Sequence, residues 1–149
     1  KHRFINIARN PSLSTCPQLK IVRIDGELYY GSIDAISRQF NDIFEKGEEK
    51  SILIIAPGIN FIDLAGSEWL LHEAKRWREN GGNLYICGLK QVAQEVLIKG
   101  EFKAKIGEEY FYSSKKEAIQ SIYSQLDSAI CAACTARIFV ECDNDSQES

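Results

Sequence analysis

Residues Ser51–Ala56 read SILIIA, an uncharged run rich in β-branched side chains. A run this short and this apolar suits one strand buried on both faces. Pro57-Gly58 breaks it with a turn. Phe61-Ile62-Asp63-Leu64-Ala65-Gly66 then leads into an amphipathic segment, which predicts a helix over 64–79. Asp63 stands where its carboxylate can accept from the free N–H groups of that helix's first turn. A strand, a short loop and a capped helix expose the loop at a helix N-terminus, a common position for recognition.

The rest of the chain alternates in the same way. Residues 1–20 are polar, with Pro11 and Pro17, and predict a short strand near Phe4–Ala8 followed by an irregular arm. Ile21-Val22-Arg23-Ile24 and Leu28-Tyr29-Tyr30 flank Asp25-Gly26, a signal for a hairpin or a bulge. Ser32 is placed to cap a helix over 33–46, whose apolar face is Ile33, Ile36, Phe40, Ile43 and Phe44 and which Gly47 ends. In the helix over 64–79, Leu70, Leu71, Ala74 and Trp77 share a face, and Asn80-Gly81-Gly82 stops it. A buried strand over Leu84–Cys87, a helix over Lys90–Lys99 ended by Gly100, a weak strand near 102–106 and the run Tyr110-Phe111-Tyr112 follow. Ser114-Lys115-Lys116-Glu117 is a capping box that opens a helix with Ile119, Ile122, Tyr123 and Leu126 inward. From Asp127 the chain holds three cysteines and fades into an acidic tail, Asp143–Ser149, which is expected to be disordered. Strands alternating with helices predict an α/β layer with helices packed on a mixed sheet.

A chain of 149 residues with 44% apolar content supports one domain with a real core. The formal net charge of -3, with no basic stripe, argues against a nucleic-acid partner. No run approaches the roughly 18–20 apolar residues that span a bilayer, and no signal peptide is visible. The chain has no Met at all, which leads us to expect a processed product or a piece of a longer polypeptide. Five cysteines (Cys16, Cys87, Cys131, Cys134 and Cys142) are an odd number, and Cys87 falls in an apolar strand. That pattern fits a reducing compartment better than a secreted disulfide scaffold.

No enzyme motif emerges. Gly82 to Gly88 lacks the Lys-Ser/Thr pair of a P-loop, and no G-x-G-x-x-G follows the first strand. His2 belongs to the N-terminal arm and His72 to the outer side of a helix, while Glu45, Glu48 and Glu49 read as a solvated charge cluster at a helix end. Cys131-x-x-Cys134, with Cys142 beyond, has the spacing of a metal site but no obvious fourth ligand. Unliganded thiols or an adventitious disulfide come first, a zinc site second and redox sensing third. Ser67 reads as a polar first-turn residue, although a phosphate there would suit a helix N-terminus.

The segment from the apolar strand through Asp63-x-x-Gly66 into a helix resembles the signature of the STAS domain, the module shared by sulphate transporters and anti-sigma-factor antagonists. In the bacterial antagonists the residue before that Gly is a phosphorylated Ser or Thr. Here it is Ala65, which has no hydroxyl, so the resemblance implies that the usual phosphoswitch is missing from its usual place. Ser67 is then the candidate for a displaced phosphosite. The N-terminal region, Asn6-Ile7-Ala8-Arg9-Asn10-Pro11 and then Cys16 through Ser32, looks like the SulP-type anion permeases. In those proteins an arm leads to a strand, a Gly, an aromatic pair and a small residue that starts the first helix. Soluble antagonists usually lack the arm and the aromatic pair. The resemblance covers about residues 3–126.

What the resemblance implies is a STAS-like α/β fold, a mixed sheet of four to five strands with about four helices. Residues 1–20 would form a strand and arm following a membrane domain, 21–126 the STAS domain, and 127–149 a cysteine-containing segment and tail. The implied function is a non-catalytic cytoplasmic regulatory domain of a SulP-like transporter of sulphate or a related anion, on the cytoplasmic face of the inner (plasma) membrane. Lys1-His2-Arg3 would suit an anionic lipid surface there. The implied partners are the transmembrane domain of the same polypeptide, a second protomer or a cytosolic regulatory protein. The loop of Asn60, Asp63, Leu64, Ala65, Gly66 and Ser67 is the surface expected to make these contacts, with Tyr29 and Tyr30 as secondary candidates. No cofactor is required; nucleotide binding, reported for some members, finds no support here beyond the helix N-terminus. Two alternatives stand beside this reading: a soluble partner-switching regulator of an anti-sigma kinase, and a small metal or redox module built on Cys131, Cys134 and Cys142.

Overall fold

The computed structural model describes residues 6–9, as backbone, and 19–124. Six strands form one mixed sheet. β1 (Asn6–Arg9) runs antiparallel to β2 (Leu19–Leu28). β3 (Ser51–Ile55), β5 (Leu84–Cys87) and β6 (Phe111–Tyr112) follow in parallel, in the order β1-β2-β3-β5-β6. β4 (Ile59–Ile62) lies off this path and pairs in parallel with the far end of β2. The helices are α1 (Ile33–Lys46), α2 (Leu64–Glu79), α3 (Gln91–Lys99), α4 (Phe102–Ile106) and α5 (Lys115–Tyr123).

Strand periodicity divides the core. Ile52 and Ile54 point to one face of β3, with Val22, Ile24, Phe40, Leu70, Trp77, Leu97 and Ile106 in the larger cluster. Leu53 points to the other, with Leu19, Ile21, Tyr85 and Cys87 beneath Ala118 and Ile122 of α5. The SILIIA run is apolar throughout because β3 is covered on both sides. α1 buries Ile36, Phe40 and Ile43, the expected stripe. Two edge-on aromatic pairs lock it to α2: Phe40 with Trp69 at 4.9 Å and Phe44 with Trp77 at 5.1 Å. Each is worth about 1 kcal/mol beyond the area it buries.

Of the two readings of Asp25-Gly26, the bulge holds and not the hairpin: β2 continues through it, with a register shift between Gly26 and Glu27. Gly26 adopts φ 114°, and its N–H donates to Gly58 O at 2.8 Å. The bulge turns the end of β2 toward β4, a strand where only loop was expected. Residues 102–106 are helical rather than extended. Phe102 and Ile106 are both buried, and that i, i+4 spacing is a helical one. The fold is the expected α/β layer of helices on a mixed sheet, with β4 and α4 added to the expected elements. Ser32 starts α1 without capping it; its hydroxyl donates to Glu27 O at 2.8 Å and accepts from Tyr29 N at 3.1 Å. Of the N-terminal strand, Phe4 and Ile5 lie outside the described residues, as does Leu126.

Candidate functional site

Residues Asn60–Ser67 run from β4 into the first turn of α2, where the chain leaves the sheet. Asp63 is extended, with φ -110° and ψ -171°, the usual geometry of an N-cap. Its Oδ1 accepts from Gly66 N at 2.8 Å. Its Oδ2 accepts from Tyr30 N at 3.1 Å. One carboxylate thus caps α2 and ties it to the turn between β2 and α1. The backbone adds a second tie, from Asp63 N to Leu28 O at 3.2 Å.

Gly66 explains itself sterically. A Cβ at this position would overlap the carbonyl group of Leu28, and backbone cannot move aside. The spacing of Asp63 and Gly66 therefore encodes a cap and a close approach of α2 to β2.

Around this frame the surface is apolar. Tyr30 is 82% exposed, Leu64 63% and Phe61 47%, and all three neighbour Asp63 in the chain or through its hydrogen bond. Large apolar side chains grouped on an otherwise polar surface mark interaction sites more often than scattered ones do. Lys90, just before α3, donates from Nζ to Asn60 Oδ1 at 2.5 Å and borders the patch. Ala65 is half-buried and Tyr29 half-buried, leaving Tyr30 as the exposed member of the aromatic pair. The loop presents apolar surface and a capped helix end, a set of groups suited to docking.

Ser67 is fully buried, and its hydroxyl donates to Asp63 O at 2.9 Å. A phosphoryl group on that oxygen would require the first turn of α2 to lift off the sheet. His72 is exposed, as expected. Glu49 is not part of a solvated cluster: it sits 3.6 Å from Lys20, a buried lysine on β2. Burial raises the Cys87 thiol to about 11, which keeps it protonated and unreactive at neutral pH. His2, Cys16, Cys131, Cys134 and Cys142 lie outside the described residues. Among the described residues, no group of three or more His, Cys, Asp or Glu side chains could hold a metal ion, and no helix is long and apolar enough to cross a membrane.

One residue escaped the reading of the sequence. Glu73 is 2% exposed, in the middle of α2. Burial pushes its carboxyl above the ordinary value, against the pull of Arg76. Trp69, Glu73 and Trp77 fall at i, i+4 and i+8, so a carboxylate on a tryptophan stripe was the available signal.

Comparison with known proteins bears on this frame. A curated relative, "Putative sulfate transporter YvdB" of Bacillus subtilis (strain 168), is 26% identical over 101 residues, 68% of this chain and 19% of the relative. The chain therefore spans about a fifth of the length of that relative. Among solved structures, the mouse anion transporter Slc26a9 in its inward-facing state superposes with a TM-score of 0.67 at 14% identity, over 83% of this chain and 23% of that one. The unphosphorylated anti-sigma factor antagonist SpoIIAA superposes at 0.63 with 13% identity, over 83% of this chain and 99% of that one. At such identities the structural matches speak to the fold. The family model of the STAS domain matches residues 10–118, most of the chain and the whole Asp63–Gly66 frame, and the chain belongs to the STAS domain family.

Proposed function

We propose that this chain is the non-catalytic regulatory domain of a SulP-type anion transporter, acting on the cytoplasmic face of the inner (plasma) membrane. The observation that carries this reading is the sequence match to the "Putative sulfate transporter YvdB" of Bacillus subtilis (strain 168), which extends over 68% of the chain. The transported anion would be sulphate or a relative, and its path would lie in the membrane part of the whole protein. The domain acts allosterically, by binding one transporter state better than another. Its docking surface is the exposed part of the Asn60–Ser67 loop, Asn60, Leu64 and the half-buried Asp63 and Ala65, with Tyr30 and Phe61 beside it, while the buried Gly66 and Ser67 hold the loop in place from beneath. The partner is the transmembrane domain of the same polypeptide, with a second protomer or a cytosolic protein as further partners.

The test is fractionation of the full-length gene product after an alkaline carbonate wash. Retention in the pellet, followed by anion uptake that changes when this domain is deleted, is the expected result. Release into the supernatant would overturn the transporter reading.

The second reading is a free partner-switching regulator, favoured by the superposition on SpoIIAA over nearly all of that protein's length. Ala65 weighs against it, because a methyl group cannot accept the phosphate on which such switching depends. Release into the supernatant together with capture of a kinase by the Leu64 surface would establish it.

A further inference from the structure

Two buried polar atoms without a hydrogen-bond partner among the described residues belong to one stretch of α2, Trp69 Nε1 and Arg76 Nε, and a third, Trp77 Nε1, makes only a loose approach to the Glu73 carboxylate. Buried polar groups are normally satisfied, so such a concentration needs a reason. At its centre stands Glu73, on the same helical face as both indoles. Arg76 Nη2 donates to Glu73 Oε1 at 2.9 Å. The same guanidinium crosses to α1, where Nη1 donates to Asn41 Oδ1 at 2.7 Å. It also lies over the ring of Phe44, 4.4 Å from the centroid. The aromatic pairs Phe40–Trp69 and Phe44–Trp77 flank this bridge.

A buried ion pair is a weak source of stability, since apolar residues of similar volume often do as well or better. What it adds is a second state. We propose that Glu73, Arg76 and Asn41 form a proton-operated latch between α1 and α2. With Glu73 ionised, the guanidinium bridges the two helices. When Glu73 takes a proton from solvent, the charge that holds Arg76 and draws the Trp77 indole N–H is gone, and the bridge to α1 loosens. The first turn of α2 carries the Asp63 loop, so a change in how α2 seats on α1 reaches that loop through a rigid helix.

The charged groups acting on Glu73 are Arg76 and, more weakly, His72, both on α2. α1 meets the residues around it with the neutral Asn41, Phe40 and Phe44, which touch Arg76, Trp69 and Trp77. The cations of α4 are engaged elsewhere, Lys103 over Phe111 and Lys105 over Phe102. Arg78 donates to Ile106 O and lies over Tyr110. Burial favours the neutral carboxyl, so the transition falls above the ordinary value of 4.5.

The experiment is a pH titration of this 149-residue chain by proton–nitrogen correlation NMR, which resolves its two tryptophan indole N–H groups. The indole signals and the backbone amides of Asn41–Phe44 are expected to move together, with one midpoint above 4.5. Glu73→Gln is expected to flatten both. Asn41→Ala, at an exposed position, is expected to keep the indole titration and lose the α1 response. It tests the latch even if Glu73→Gln does not fold. A midpoint at or below 4.5, a titration that survives Glu73→Gln or vanishes in His72→Gln, or α1 amides that stay still in the wild type would each overturn the latch.

Discussion

Tyr30 and Asp63 stand 33 residues apart and are joined by one hydrogen bond, from the Tyr30 N–H to Asp63 Oδ2 at 3.1 Å. The other oxygen of that carboxylate caps α2 through Gly66 N. The apolar surface therefore sits on a frame held at both of its chain crossings, and its parts can be tested separately.

Replacing Asp63 by Ala removes the cap and the cross-link together. Loss of an N-cap alone costs about 1 kcal/mol, and the freed Tyr30 N–H lies near solvent, where water can replace the carboxylate. Urea denaturation should show a loss of about 1–2 kcal/mol. Asp63→Asn keeps one acceptor oxygen and should lose less than half of that.

Gly66→Ala should be worse than its chemistry suggests. The added methyl meets the Leu28 carbonyl, so α2 must shift away from β2. A cost of about 3 kcal/mol is expected, at the upper end for overpacking. A midpoint within error of the wild type would mean that the helix end is more loosely seated than described.

The exposed patch should behave in the opposite way. Leu64→Ser and Tyr30→Ser remove apolar surface that touches little, so stability should stay within about 0.5 kcal/mol. In the full-length protein the same pair of changes should alter anion uptake. Unchanged uptake at normal expression would remove this surface from the docking role.

Arg76→Leu strands the Glu73 carboxylate among indoles and should cost about 3 kcal/mol at neutral pH. The pH dependence has a definite sign. The folded pKa of Glu73 is raised, so the folded chain holds the proton more tightly than the unfolded one. The Glu73 contribution to stability is therefore fullest below the unfolded value and falls as pH rises through the folded one. Removing Arg76 raises the folded pKa further, so the variant should recover part of its deficit on acidification. Glu73→Leu with Arg76→Leu should restore stability and abolish that dependence, as read from denaturation midpoints across pH.

Much of this architecture is legible in one dimension because its causes are local. SILIIA must be buried whichever partners flank it, and Asp63 caps α2 with a residue three positions away. The features that could not be read there depend on distant partners. β4 is a strand only because Gly26 bulges β2 toward it, and Asn60 and Phe61 at its centre are exposed, so no alternation announces it. Residues Phe102–Ile106 contain β-compatible side chains, but Glu101 at φ 65° turns the chain so that the segment packs as one short helix against α2 and α3. Glu49 looked solvated until Lys20, 29 positions earlier, was folded beneath it.

By itself the sequence determined the alternation of strands and helices, the capped start of α2, the absence of a hydroxyl at Ala65 and the family to which these belong. Each follows from the identity of residues within a few positions of one another. Only the tertiary structure decided that Gly66 exists for the Leu28 carbonyl, that the Tyr30 N–H reaches Asp63 and that Glu73 is buried. Those are properties of surfaces in contact, and a contact between residues far apart in the chain has no local signature until the sheet and helices bring them together.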